Sequence, residues 1–142
     1  MTPEDADYGE ARKVFNALID RRPALIIQPR DAADVAQTVA FTRERGLLLS
    51  VKGGGHGVAG HAVADGAVMV DLSGLKGLEV DPESQTVWAQ PGLRLGEFDA
   101  RTQDFGLATT MGTVSDTGIA GLTLGGGMGW LMRKHGLSCD NL

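Results

Sequence analysis

The sequence has almost no cysteine, and its single thiol, Cys139, excludes a fold held together by disulfide bonds. It also lacks a basic stripe. The formal net charge is −5, which argues against a nucleic-acid surface, because phosphate backbones are bound by clustered Lys and Arg. No apolar run reaches membrane-spanning length, and the N-terminus has no basic start followed by an apolar segment. We therefore expect a cytoplasmic protein with neither a membrane nor a nucleic-acid partner.

Glycine is the residue in excess. The chain has 21 glycines among 142 residues, about twice the usual ~7%, and they gather in two loops instead of repeating at a fixed period. Clustered glycine indicates a close approach of the backbone to another group. Because the chain is acidic, an anionic ligand would have to be held by backbone amides, and consecutive glycines can turn several amides toward one anion.

The first half of the chain is predicted to contain a parallel βαβ unit. Apolar runs indicate buried strands at residues 24–28, 47–51 and 67–72, and Asp31 is placed to cap a helix between the first two. Four residues of that helix are expected to face inward: Val35, Ala36, Val39 and Ala40. An earlier amphipathic helix is expected over residues 4–20, with six residues on its apolar face: Tyr8, Ala11, Val14, Phe15, Leu18 and Ile19. Short joints between strand, helix and strand predict a right-handed parallel crossover.

The second half is predicted to be less regular. The segments "LEVD" and "TVWAQ" indicate an antiparallel hairpin, followed by a helix over residues 93–103. That helix should bury Leu95, Phe98 and Thr102. Three glycines at residues 125–127 disfavour a continuous helix over residues 118–136, so a loop or kinked helix is expected there. The elements together indicate an α+β fold, a βαβ unit followed by a mixed sheet with flanking helices.

The stretch "SVKGGGHGVAGHAVADG", residues 50–66, begins where the second strand ends. Ligands of such sheets gather beyond the carboxyl ends of the strands. The stretch has neither the spacing of a Rossmann fingerprint nor the Lys-Ser/Thr pair of a P-loop. It is either a nest of amides for a dinucleotide diphosphate or a mobile surface loop. His56 is accordingly a proton carrier, an anion ligand or a nucleophile, or else an ordinary solvent-facing histidine.

Four other residues raise the question of a metal site. His61 and Asp65 lie in the same irregular loop, where their spacing does not support a metal, and we expect none. His135 and Cys139 are separated by Gly136, which indicates a turn. Cys139 is therefore expected to be a buried or neutral thiol.

Two further sets of side chains have open roles. Trp88 and Trp130 are expected in the core instead of serving as stacking platforms. Ser115, Asp116 and Thr117 either donate hydroxyls to a ligand or cap the segment that starts at Gly118.

Three blocks, in order, resemble the flavin domain of the vanillyl-alcohol oxidase and p-cresol methylhydroxylase superfamily, in particular the berberine-bridge-enzyme-like oxidases. The blocks are "ALIIQPRDAADVAQTVAFTRERGLLLSVKGGGHGVAG", "GAVMVDLSGLKGLEVDPESQTVWAQPGLRLGEFD" and "FGLATTMGTVSDTGIAGLTLGGGMGWLMRKHGLSCDNL". The resemblance implies FAD as the cofactor. It also implies that residues 24–142 form the N-terminal portion of an FAD-binding domain, preceded by a helical arm at residues 1–23.

In that family the loop equivalent to residues 52–58 wraps the FAD diphosphate, and its histidine, here His56, is bonded to the flavin 8α-methyl carbon. Later glycines make room for the cofactor. The implied cofactor-binding residues are Gly53, Gly54, Gly55, His56, Gly57, Val58, Pro91, Gly92, Gly112, Val114, Ser115, Gly118, Gly121, Gly125 and Gly126. Many relatives attach flavin a second time through a cysteine, but Val114 occupies that position here. The resemblance therefore predicts one covalent link, through His56.

The implied activity is that of an oxidase in which a hydride passes from an alcohol, sugar or natural-product substrate to flavin N5 and then to oxygen. The catalytic base stays unassigned, because the family places it in a substrate domain that we expect after residue 142. The 142 residues alone are accordingly expected to be inactive, and their oligomeric state is unassigned. The alternative is a non-catalytic, truncated module that binds flavin or another dinucleotide reversibly, without turnover.

Overall fold

A three-stranded parallel sheet organises residues Met1–Leu75, the first of two compact units in a computed structural model that describes all 142 residues. The strands are β1 (Leu25–Ile27), β2 (Leu49–Lys52) and β3 (Val68–Asp71), and their order is β1-β3-β2. The parallel direction predicted for β1 and β2 is confirmed, but β3 lies between them and pairs with both. All four residues of β3 are buried, as expected for the central strand of a covered parallel sheet.

The predicted helix over residues 4–20 is wrong in extent, because only α1 (Tyr8–Ala11) is helical. Tyr8 joins the core of this unit, and its hydroxyl donates to the Pro23 carbonyl at 2.7 Å. Farther along, the Phe15 amide donates to the Gly55 carbonyl at 2.9 Å, and this long-range bond replaces a bond within a helix. The division of the chain at residues 23 and 24 stays a prediction.

Helix α2 (Ala32–Glu44) follows β1 as predicted, and the Asp31 carboxylate caps it by accepting from the Asp34 amide at 2.9 Å. Its inward face was predicted incorrectly. Thr38 and Thr42 are the buried residues, whereas Val39 is 43% exposed. Both threonine hydroxyls donate to carbonyls of the same helix, at 2.8 and 2.9 Å, so burying them leaves no donor unpaired.

Residues Lys76–Leu142 form the second unit. It begins with the predicted hairpin of β4 (Leu78–Asp81) and β5 (Thr86–Ala89), which is antiparallel and separate from the first sheet. Helix α3 (Leu95–Gln103) follows and buries the three residues that were predicted. The core of this unit consists of Leu93, Leu95, Phe98 and Ile119. The α+β class is therefore confirmed.

The two tryptophans are not core residues. Trp88 is 59% exposed and Trp130 is 86% exposed. The reason is clear for Trp88, because strand residues alternate and β5 turns Val87 and Ala89 toward the core instead.

The glycine-rich C-terminal segment contains helix α4 (Ile119–Leu124), helix α5 (Met132–His135) and a 3₁₀ turn (Ser138–Asn141). Helix α4 ends immediately before the triple glycine, where Gly126 and Gly127 have φ of +103° and +76°. The expected break in the helix is thus present. None of the helices in the chain has the length and apolarity needed to cross a bilayer.

Candidate functional site

The glycine loop, residues 53–66, leaves the sheet at the carboxyl end of β2, as the sequence predicted. Gly55 and Gly60 have φ of +67° and +71°, a conformation that favours glycine. At Gly60 the need is also steric, since a Cβ atom there would lie 2.7 Å from the Ile19 side chain. Gly57 borders open space and Val58 is 72% exposed. The backbone of the loop is therefore constrained at Gly55 and Gly60, whereas Gly57 and Val58 are accessible to solvent.

Lys52 is the one lysine or arginine between residues 50 and 66, and it is already paired. Its Nζ lies 3.1 Å from Oδ2 of Asp71 and donates to the Ala11 carbonyl at 2.5 Å. The two side chains of the ion pair are 12% and 3% exposed. Lys52 is therefore not free to pair with an anion at this loop, and the binding of an anion by backbone amides stays a prediction.

His56 is not a free, solvent-facing loop histidine. Its imidazole is stacked on the ring of Phe15, with centroids 4.0 Å apart and an interplanar angle of 16°. Its Nε2 atom is buried and has no hydrogen-bond partner within the chain. Leaving such an atom unpaired costs about 1–3 kcal/mol. The ring thus fits a site in which a bound group completes its surroundings.

The N-terminal segment fastens the loop, which argues against a mobile surface loop. The Asn16 side-chain amide donates to the Val58 carbonyl at 2.9 Å. The Arg21 guanidinium donates to the carbonyls of Gly60 and Val63 at 3.2 and 3.1 Å. Phe15 and Asn16 were not predicted as site residues. The apolar spacing of Phe15 suggested a helix face, and no local signal pointed to the loop 40 residues farther on.

The other predicted residues of the loop differ in accessibility. Gly55 is buried, Gly53 and Gly54 are half-buried, and Gly57 and Val58 are exposed. Their contact with a diphosphate stays a prediction, and the exposed pair is the part of the loop that a ligand can reach.

In the second unit, residues 115–117 support helix α3. The carbonyls of Ser115 and Thr117 each accept a bond at 2.9 Å from the first turn of α3, and Asp116 forms an ion pair with Arg94. The predicted cap of the following helix is absent, because Gly118 itself is the N-cap and has no side chain. The Ser115 side chain is exposed, so its role as a ligand donor stays a prediction.

The predicted glycines of this unit fall into two groups. At Gly112 a Cβ atom would collide with the Leu122 side chain, so packing of the chain itself explains the glycine. Gly121 meets nothing within 4 Å, and it and Gly125 are exposed. The remaining predicted residues are covered to differing degrees: Gly92 and Gly118 are buried, Pro91 and Gly126 are half-buried, and Val114 is 50% exposed.

The structure contains no cluster of three or more His, Cys, Asp or Glu side chains that could hold a metal ion. Gly136 has φ of +82°, which confirms the turn between His135 and Cys139. Cys139 was expected to be a buried or neutral thiol, and the buried alternative is wrong because the residue is exposed. Its side chain lies in the final 3₁₀ turn, and Ser138 instead fills the interior position by bonding to the carbonyls of Thr110 and Gly127.

A cavity of about 470 Å³ in the second unit was not anticipated. It lies beside the C-terminal half of α3 and is lined in part by Thr102, Leu107, Met111 and Trp130. Asp99 is at its edge, and burial raises the pKa of this carboxyl. The sequence did not predict it, because the walls combine residues 99–112 with Trp130 and Leu131 from a separate stretch of the chain.

Comparison with known proteins identifies the family. A family described as "FAD binding domain" matches residues 23–142. The chain is 41% identical over 130 residues to an FAD-linked oxidoreductase of Dictyostelium discoideum, covering 92% of this chain and 28% of that protein. It is 35% identical over 133 residues to berberine bridge enzyme-like 27 of Arabidopsis thaliana, covering 90% of this chain and 25% of that protein.

Among solved structures, 6-hydroxy-D-nicotine oxidase from Arthrobacter nicotinovorans superposes with a TM-score of 0.96 at 31% identity, covering 99% of this chain and 31% of that one. The chain therefore spans between a quarter and a third of the length of these relatives. The predicted fold type, resemblance and cofactor class are confirmed. The chain belongs to the FAD-binding domain family of the berberine-bridge-enzyme-like, p-cresol-methylhydroxylase-type oxidoreductases.

Proposed function

We propose that this chain is the FAD-binding portion of an oxidase and that its flavin is held covalently by His56. The observation that carries the proposal is the buried, unpaired Nε2 of His56, in a glycine loop at the carboxyl end of a parallel sheet. A surface histidine with no ligand to meet would have both nitrogens in water or hydrogen-bonded.

A diphosphate at the loop would be bound by backbone amides, because the nearest lysine in the chain, Lys52, is already paired. Lys52 is paired with Asp71, so negative charge from the ligand would meet amides and not a lysine. Gly57 has open space beside it, which lets a ligand approach the backbone closely. Among the glycines that the resemblance assigns to the cofactor in the second unit, Gly121 and Gly125 are the exposed ones.

The covalent bond would join an imidazole nitrogen of His56 to the 8α-methyl carbon of the flavin. One methyl hydrogen and the imidazole N–H hydrogen leave, and molecular oxygen takes both as hydrogen peroxide. Phe15 covers one face of the ring, so the imidazole is held in one plane while the bond forms. We propose this as the single link, because Val114 has no sulfur atom to form a second.

When bound, the cofactor supplies a hydride acceptor at flavin N5 and a route for electrons to oxygen. The hydride donor in this proposal is a small molecule: an alcohol, a sugar or a natural product. The chain's own part is to bind, orient and retain the cofactor, and none of its residues is assigned as the catalytic base.

The test uses the full-length gene product that contains these residues. Purified protein is given a panel of alcohols, sugars and amines in air, and hydrogen peroxide is measured. Peroxide release with at least one substrate class, with bleaching of the flavin absorbance in the absence of oxygen, is the expected result. Bound flavin that is never reduced by any member of the panel would favour a non-catalytic flavin-binding module instead.

A further inference from the structure

The N-terminal strap, residues 12–22, lies entirely before residue 23, where the match to the FAD-binding family begins. It nevertheless reaches the glycine loop repeatedly. Its contacts are the bonds from Phe15 to Gly55, from Asn16 to Val58 and from Arg21 to Gly60, and the packing of Ile19 against Gly60. The strap is therefore built against this loop and is more than a connection to the sheet.

Core packing does not explain the position of Phe15. Its neighbours in the strap, Val14 and Ile19, pack against the core of the first unit, whereas Phe15 is 61% exposed. An aromatic ring left this open to water has lost much of the benefit of burial. The one ring that it stacks on is His56, at 4.0 Å and nearly parallel.

We propose that Phe15 is a positioning residue for the attachment of flavin to His56. The inference rests on the proposed function, since it concerns the same bond. In that step a carbon–nitrogen bond forms, and one methyl and one imidazole hydrogen pass to oxygen as peroxide. The nitrogen must point at the methyl carbon, and a stacked ring with a fixed backbone partner limits the tilt of the imidazole. Misplacement of a reacting atom by about 1 Å can slow a reaction roughly 100-fold.

Phe15 makes a second contact next to His56, through its backbone. Its backbone amide donates to the carbonyl of Gly55, the residue immediately before His56, at 2.9 Å. Phe15 thus contacts both the peptide group that precedes His56 and one face of the His56 ring.

The experiment compares four versions of the full-length protein: wild type, Phe15→Leu, Phe15→Tyr and Leu18→Ala. Apoprotein is mixed with FAD, and covalent flavin is followed by fluorescence of the denatured protein, alongside total bound flavin. Leu18 is the matched control, because it lies in the same strap and is 91% exposed. A second readout is the proton chemical shift of the His56 ring in the apoprotein, assigned with His56→Ala, since a stacked aromatic ring shifts it upfield.

Phe15→Leu is expected to bind FAD but to attach it about 10-fold more slowly, and to lose the upfield shift of His56. Phe15→Tyr should keep both the wild-type attachment rate and the upfield shift of His56, and Leu18→Ala should behave as wild type. Attachment at the wild-type rate in Phe15→Leu, or failure of Phe15→Tyr to restore it, would overturn the inference. So would complete loss of FAD binding in Phe15→Leu, because Phe15 would then hold the cofactor instead of orienting the histidine. A wild-type protein with no covalent flavin would instead refute the proposed function itself.

Discussion

Lys52 and Asp71 form a buried ion pair across adjacent parallel strands, at the last residue of β2 and the last residue of β3. The two residues are direct register partners, so the sheet itself brings the charges together. The glycine loop begins at the residue after Lys52, and the pair consequently fixes the point from which the loop leaves the sheet.

Removing one member of this pair should be far more damaging than removing both. Lys52→Met leaves the buried Asp71 carboxylate without its cation and with only the Ser73 amide as a donor, and we expect a loss of about 3–5 kcal/mol in the free energy of unfolding. The double variant Lys52→Met with Asp71→Leu should recover most of that loss. Urea denaturation of the three proteins measures it, and equal losses in single and double variants would show that the pair has no special role.

Alanine substitutions separate backbone strain from steric conflict in the loop. Gly60→Ala is expected to cost about 1–2 kcal/mol from its positive φ alone, and more because its Cβ would meet Ile19 at 2.7 Å. Gly46→Ala is the control, since Gly46 has φ of +59° but open space around it. Thermal unfolding should therefore rank Gly60→Ala below Gly46→Ala, and the reverse order would contradict the strap's packing on the loop.

The pKa values of two carboxyls of α3, Glu97 and Asp99, should be shifted in opposite directions from their ordinary values. Hydrogen bonding from Lys76, and then from the Arg94 amide, holds the pKa of Glu97 below its ordinary value of 4.5. Glu97 therefore stabilises the fold above that pH, and the contribution is lost as the pH falls through its lowered pKa. Burial raises the pKa of Asp99 above 3.8, so its ionisation destabilises the fold as the pH rises through that range.

Side-chain carboxyl chemical shifts against pH measure both pKa values directly. Lys76→Gln should raise the pKa of Glu97 and leave that of Asp99 unchanged. A Glu97 pKa that does not rise in Lys76→Gln would refute the contacts described for Lys76.

A single substitution at Val114 should introduce a second covalent bond between the protein and flavin. Val114 is 50% exposed, and the family resemblance assigns its position to a second linking cysteine. Val114→Cys in the full-length protein should acquire a second flavin bond, so that the peptides containing His56 and residue 114 remain joined through FAD after digestion. Thr113→Cys, one residue away and exposed, should not. Joined peptides in both variants, or in neither, would remove Val114 from the cofactor site.

Sequence patterns predicted the elements whose signals are local. Asp31 capped its helix, the hairpin paired as expected, and α3 buried the residues assigned to it. The errors arose where distant contacts decide the outcome. Phe15 has helical spacing, yet its amide bonds to Gly55, and no pattern within the strap encodes that partner.

The inward face of α2 failed for a different physical reason. Hydropathy favours burying Val39 over Thr38, but threonine can pair its hydroxyl with its own helix and then bury its methyl group. At the candidate site, the resemblance predicted His56, whereas its stacking on Phe15 and its unpaired Nε2 are seen only in the three-dimensional structure.

The most direct measurement for the central claim is the mass of the peptide that contains His56, after denaturation and digestion of the full-length flavoprotein. We predict that it carries FAD less two hydrogens. His56→Ala should retain no covalent flavin, whereas His61→Ala, a change of an exposed histidine in the same loop, should retain all of it. Covalent flavin in His56→Ala, or a flavin mass on any other peptide of the wild-type protein, would contradict the account.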